Sequence, residues 1–271
     1  VQNARSLRME VQEAFLKPFD LNGKKGLVVG IANGNSIAWG CANAFAKAGA
    51  ELAVTWFNEK ARKHVEPLAQ EVKASITAAL DVEQEDQLRA LFKQIEQQWG
   101  KLDFILHSIA FAPKEDLHGR VVDRSLSGFS RAMDISCHSF TRMAHLAEPL
   151  MKQGGSLITM SYVGAEEVIP NYGIMGPVKA ALESTTRYLA SELGPKNIRV
   201  NTVSPGPLAT RAASGIPNFD ALMAQAIERA PLRRLVDTSD VGALCAFLLS
   251  DAARNITGST LYVDAGYHIV G

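Results

Sequence analysis

Short runs of aliphatic and β-branched residues recur along the chain. Between them lie longer stretches whose apolar positions return at helical spacing. The runs at 26–30 (GLVVG), 51–56 (ELAVTW), 75–80, 102–108 (LDFILHS), 156–161 (SLITMS), 198–203 (IRVNTV) and 260–264 (TLYVD) read as about seven strands. Helices are predicted over 37–47, 85–99, about 125–152, from the proline-bracketed segment after Pro170 to about 193, and over 240–249. Strands that are apolar at nearly every position are covered on both faces. Their alternation with helices predicts an α/β fold with a doubly wound parallel sheet. Right-handed crossovers then place the ligand site beyond the carboxyl ends of the strands, so the residues that follow each strand are the candidates for chemistry.

No composition break divides the 271 residues, so one domain is expected over 21–271, preceded by an N-terminal arm over 1–20. In that arm Leu7, Val11 and Phe15 recur every fourth position, with Arg5, Arg8, Glu10 and Glu13 around them. A short amphipathic helix on the domain or on a neighbouring subunit fits this pattern, and so does a poorly ordered tail. Lys plus Arg number 28, as do Asp plus Glu, a balance that argues against a dedicated nucleic-acid binder. No apolar run approaches the ~18 residues of a membrane span, and the arm lacks a signal-peptide core. Cys41, Cys137 and Cys245 fit neither a disulfide framework nor a metal knuckle, and are expected to be small core residues in a reducing cytoplasm. The histidines show no metal-ligand spacing, so no metal is expected; His107, inside a strand run, reads as a satisfied core residue.

After the first strand comes Gly30-Ile-Ala-Asn-Gly34-Asn-Ser36-Ile37-Ala38. A glycine-bearing turn lets backbone approach a pyrophosphate, and the next helix offers it free N–H groups. The spacing is not G-x-G-x-x-G, so an ordinary βα turn is the alternative. Ser36 is placed to cap that helix and to touch phosphate. Asp81, followed by Val82, ends the third strand, where a carboxylate accepts from an adenine amino group or caps a helix. Ser108 and Ile109 end the fourth strand, where the nicotinamide-side ribose should lie. No acid stands at the tip of the second strand; Lys60, Arg62 and Lys63 behind it fit a 2′-phosphate or a solvated helix face.

Tyr162 follows the fifth strand, Tyr172 comes ten residues later, and Lys179 stands seven beyond that. A phenol beside an ammonium is a proton donor suited to hydride chemistry, because the ammonium stabilises phenolate. Lys179 can also hold ribose hydroxyls. The interval is Tyr-x6-Lys rather than Tyr-x3-Lys; three further residues amount to ~4.5 Å of regular helix. Such a displacement suits conjugate reduction, in which hydride meets the β-carbon and charge gathers on a distant oxygen. Pro177 makes regular helix geometry unsafe to assume there. The segment at 208–220 is small and apolar, with Ile216 and Phe219 able to cover a greasy substrate; it reads as a mobile lid or as a surface loop.

Taken together these residues resemble the enoyl-[acyl-carrier-protein] reductases of bacterial fatty-acid synthesis, within the short-chain dehydrogenase/reductase superfamily and its Rossmann-like fold. The likeness runs from about Leu21 to Ile269. It rests on Gly30-Ile-Ala…Ser36-Ile-Ala, His107-Ser-Ile-Ala-Phe-Ala-Pro113, Ser161-Tyr-Val-Gly-Ala-Glu, Pro170-Asn-Tyr-x6-Lys179, Ser204-Pro-Gly-Pro207 and Ala212-Ala-Ser-Gly-Ile216. The resemblance implies reduction of a trans-2-enoyl thioester on acyl carrier protein, usually with NADH, NADPH being the alternative donor. It implies that Tyr172 stabilises the enolate oxygen, that Lys179 holds the nicotinamide ribose, and that Tyr162 lines the site and assists. It further implies a homotetramer, cofactor contacts from Gly30, Ser36, Ile37, Asp81, Val82, Ile109, Leu208 and Thr210, and a substrate contact at Ala112.

The chain also departs from the family pattern. Phe57 replaces a polar residue near the adenosine ribose, Ala110 replaces a glycine beside the nicotinamide, and Pro217, Asp220 and Ala221 stand where relatives often carry basic lid residues. Carrier docking through Arg233 and Arg234 is one consequence; a solvated or subunit-contact pair is the other reading of those arginines. A carbonyl reductase of the same superfamily and a non-catalytic dinucleotide-binding protein are the competing functions.

Overall fold

The computed structural model describes residues 17–117, 119–208, 210 and 219–270. Seven strands form one sheet: β1 (Lys25–Val29), β2 (Glu51–Trp56), β3 (Ile76–Ala79), β4 (Phe104–His107), β5 (Gly155–Met160), β6 (Ile198–Pro205) and β7 (Thr260–Val263). Their order is β3-β2-β1-β4-β5-β6-β7, and every neighbouring pair is parallel. The chain winds outward from β1 to β3, then crosses to β4 and winds outward the other way. The expected doubly wound sheet is therefore present, with its switch point between β1 and β4. There the carboxyl ends of two neighbouring strands open toward opposite crossovers and leave a crevice.

The helices are α1 (Ile37–Lys47), α2 (Glu59–Glu71), α3 (Glu85–Trp99), α4 (Leu126–Met133), α5 (Ser139–Ala147), α6 (Met175–Leu193), α7 (Phe219–Arg229) and α8 (Thr238–Leu249). One apolar core lies between the sheet and α3, α5 and α6; the other lies between the sheet and α1, α2 and α8. α3 shows why the spacing was readable: Leu88, Leu91, Phe92, Ile95 and Trp99 bury a single stripe. Gly100 stops that helix in the left-handed conformation. α8 opens with a reciprocal capping box, Asp237 with Asp240.

Three elements differ from expectation. The span predicted over 125–152 is broken: α4 passes into a π-turn, Asp134–His138, before α5, and a 3₁₀ turn, Glu148–Leu150, ends it. The π-turn brings Ser136 inward, where its hydroxyl accepts from Phe111 N at 2.8 Å and donates to Phe111 O at 3.0 Å. α2 was not predicted, because only Val65 and Ala69 of its thirteen residues are buried and Pro67 interrupts it. α7 occupies ground read as the end of a lid.

The N-terminal arm up to residue 16, Ala209 and most of the lid, 211–218, lie outside the described residues.

Candidate active site

The structural demand at Gly30 sets the crevice. Its φ is +112°, and a Cβ there would stand 2.0 Å from Ser108 O, so the ends of β1 and β4 meet only because residue 30 has no side chain. The loop beyond is held by Ser36, though not as a helix cap. Ser36 occupies the N-cap position of α1 without a side-chain cap bond. Its Oγ instead accepts from Ala32 N at 2.9 Å and Asn33 N at 3.0 Å. The first turn of α1 is thus left without a side-chain cap; Trp39 N and Gly40 N donate to Ser36 O, and Ile37 at its start lines the crevice, an arrangement suited to an anion.

Beside this turn a cavity of about 350 Å³ opens at the carboxyl end of the sheet. Of the predicted site residues, Ile37, Ser108, Ile109, Ala112, Tyr162, Tyr172, Lys179, Leu208 and Thr210 line it. Gly30 and Ser36 do not line it. Asp81 and Val82 do not reach it: Val82 is buried, and Asp81 Oδ1 accepts from Glu83 N at 3.0 Å just ahead of α3. β3 ends at Ala79, two residues before Asp81. Ile216 lies outside the described residues, and Phe219 begins α7. Sequence reasoning missed Phe111, Leu117, Asn171, Met175 and Leu222, which also line the cavity. Each is an ordinary residue in a turn or on a helix, with no spacing to mark it.

The two tyrosine rings meet edge to face, their centroids 5.0 Å apart. Tyr162 Oη is buried with no hydrogen-bond partner among the described residues. A buried, unpaired hydroxyl costs about 1–3 kcal/mol, and such a group is suited to receive a ligand oxygen. Burial pushes both phenols above the ordinary tyrosine value; the Tyr162 and Glu183 charges add to the effect at Tyr172. Lys179 does not number among the groups that move Tyr172. The expected acidification of the phenol by its ammonium is therefore corrected: Lys179 Nζ donates to Met160 O at 2.7 Å instead. Burial lowers the Lys179 ammonium to about 8.

The Tyr-x6-Lys interval also has a different cause from the one expected. Tyr172 precedes α6, in a turn with Asn171 at φ +64° and Gly173 at φ +54°. The extra residues are spent in that turn and not as helical rise. Pro177 is the third residue of α6, where no intrahelical partner is lost, so the helix is regular through Lys179.

His107 is the satisfied core residue the strand run suggested. Ser139 Oγ donates to Ile135 O, so it accepts from His107 Nε2, and Nδ1 accepts from Thr159 Oγ1. Burial first, then the Lys179 charge, lowers this imidazole to about 3, leaving it neutral. Cys41, Cys137 and Cys245 are buried and free. No helix among the described residues is long and apolar enough to cross a membrane.

At the tip of β2, Phe57 is exposed. Arg62 stacks over Trp56 at 5.2 Å and pairs with Glu59 and Glu66, as a helix-face cation does. Arg233 and Arg234 stand exposed in the turn after α7, the helix that begins at Phe219.

A dinucleotide fits these features: a turn that excludes Cβ, an uncapped helix start, and an apolar cavity closed by phenols and an amine. The comparisons with known proteins point the same way. The family model described as enoyl-(acyl carrier protein) reductase matches residues 30–268. The chain is 48% identical over 251 residues to enoyl-[acyl-carrier-protein] reductase [NADH] 1 of Rhizobium meliloti, covering 93% of this chain and 92% of that one. It is 47% identical to the corresponding NADH enzyme of Synechocystis, covering 93% and 99%. The structure of the Anaplasma phagocytophilum reductase in complex with NAD superposes with a TM-score of 0.89 at 47% identity, covering 93% and 96%. That of the Bacillus cereus reductase with NADP+ and indole naphthyridinone gives 0.91 at 42%, covering 93% and 99%. The chain belongs to the enoyl-(acyl carrier protein) reductase family.

Proposed function

We propose that this chain reduces the 2,3 double bond of trans-2-enoyl thioesters carried on acyl carrier protein, with NADH as hydride donor, in fatty-acid elongation. The observation that carries the reading is the convergence of Tyr162, Tyr172 and Lys179 on one apolar cavity beside the Gly30 turn. When bound, the reduced nicotinamide supplies the hydride.

The protein's part is to orient and to stabilise charge. Gly30, the loop held by Ser36 and the start of α1 would hold the pyrophosphate, and Lys179 and Ile109, which line the cavity, would hold the nicotinamide ribose. Tyr172 donates a hydrogen bond to the thioester oxygen as it gains negative charge. A phenol is protonated at neutral pH, and burial raises this one further, so it acts as an oxyanion donor before it acts as an acid. Tyr162, whose hydroxyl has no other partner among the described residues, assists at the same oxygen. Ala112, Leu208 and Leu222 line the cavity and would offer apolar surface to the acyl chain; Ile216 and Phe219 are proposed as its cover. Asp81 and Val82 are proposed to border the adenine, outside the cavity. Four copies acting as a homotetramer in the cytoplasm, preceded by an N-terminal arm, complete the proposal.

The test is to follow NADH oxidation with an enoyl carrier thioester, with crotonyl-CoA and with a simple ketone. Enoyl turnover is expected, and Tyr172→Phe should lower it at least about tenfold, a modest demand for a positioned oxyanion donor. Turnover of the ketone alone would move the chain to carbonyl chemistry.

A further inference from the structure

Helix α6 turns a polar face to the sheet. Lys179, Glu183 and Thr186, spaced i, i+4 and i+7, are all buried. Each meets a strand or the residue just beyond one. Lys179 Nζ donates to Met160 O, the last residue of β5. The Ser161 hydroxyl, one residue further, donates to Glu183 Oε1 at 2.5 Å. Thr186 Oγ1 and Thr202 Oγ1 of β6 lie 2.7 Å apart.

An apolar face would let the helix slide or turn at little cost. Directional hydrogen bonds between buried groups define one register, because each shift leaves several of them unpaired. The middle rung is the one nearest the chemistry. Ser161 stands between Met160, which takes the Lys179 ammonium, and Tyr162, and all three line the cavity. Glu183 thus pins the strand end one helical turn away from the point where Lys179 pins it.

We propose that Glu183 is a positioning residue: by holding Ser161 against α6 it sets the placement of Tyr162 and Met160 O relative to Tyr172 and Lys179. This rests on the reading that these three side chains line the reacting centre. Burial pushes the Glu183 carboxyl up, toward its neutral form. An amide at this position keeps an oxygen acceptor for the Ser161 hydroxyl.

The experiment measures kcat and KM for an enoyl thioester at saturating NADH, together with NADH affinity by fluorescence, for the unaltered chain, Glu183→Ala, Glu183→Gln and Ser161→Ala. Glu183→Ala should lower kcat about tenfold or more while KM moves less than about threefold, the signature of lost orientation and not lost binding. Glu183→Gln should return kcat to within about threefold of the unaltered chain, and Ser161→Ala should repeat the loss of Glu183→Ala. Ser161→Ala removes a single oxygen, so it reads the same bond even where Glu183→Ala fails to fold. Unchanged kcat in Ser161→Ala, or Glu183→Gln as slow as Glu183→Ala, overturns the proposal. Absence of enoyl turnover by the unaltered chain strikes the reaction reading instead.

Discussion

Lys179 should be dispensable for stability and indispensable for turnover, and the structure sets the size of that contrast. Burial lowers its ammonium from 10.5 to about 8. At ~1.4 kcal/mol for each pH unit, the charged form is disfavoured in the fold by ~3 kcal/mol near neutrality. Lys179→Met removes that penalty and keeps the length of the side chain. It also removes the hydrogen bond to Met160 O, which returns ~1.5–3 kcal/mol for a charged donor. The two effects leave the variant between equal stability and a gain of ~2 kcal/mol at pH 7 in urea unfolding without cofactor. The sign of the pH dependence follows from proton counts. Between about pH 8 and 10.5 the unfolded lysine holds a proton that the folded one has lost, so native stability from this group rises with pH across that window. The advantage of Lys179→Met over the unaltered chain should therefore shrink by ~2–3 kcal/mol from pH 7 to pH 10. Turnover should meanwhile fall at least about tenfold. A variant less stable than the unaltered chain by more than ~2 kcal/mol at pH 7, or an advantage that grows with pH, would refute the burial argument.

Two glycines give further predictions. Gly30→Ala places a methyl 2.0 Å from a backbone oxygen at φ +112°, and should cost at least ~2 kcal/mol in urea unfolding and about tenfold in NADH affinity; retained affinity by fluorescence titration would remove Gly30 from the dinucleotide turn. Gly164→Ala puts a Cβ 2.5 Å from Tyr172 Cδ1, and should lower kcat about tenfold with little change in NADH affinity, whereas an unmoved kcat would show that the ring tolerates displacement.

Much of this was legible because parallel strands buried on both faces are unmistakable in composition, and because their carboxyl ends are where chemistry must sit. The tyrosines, Lys179, Ser108 and Ile109 were found in that way, whereas Ala112 came from the family resemblance and Phe111 was missed. What escaped was geometry set by tertiary bonds. Ser36 reads as a helix cap on position alone, yet its hydroxyl turns back to the loop. The π-turn at Asp134–His138 is a single turn, too short to show a periodicity of its own; it only shifts the phase of the apolar pattern between α4 and α5. The Tyr172–Lys179 interval suggested helical rise, but Asn171 and Gly173 make a left-handed turn of it. Acidification of Tyr172 by Lys179 is the pairing the sequence suggests, but burial and the Tyr162 and Glu183 charges are what move this phenol, and they move it upward.

The most direct measurement labels the hydride. With deuterium at the transferring position of NADH and a trans-2-enoyl thioester in ordinary water, the account predicts a saturated thioester carrying deuterium at its third carbon and a solvent proton at its second. Deuterium found on the carbonyl carbon, in an aldehyde or alcohol product, would contradict it.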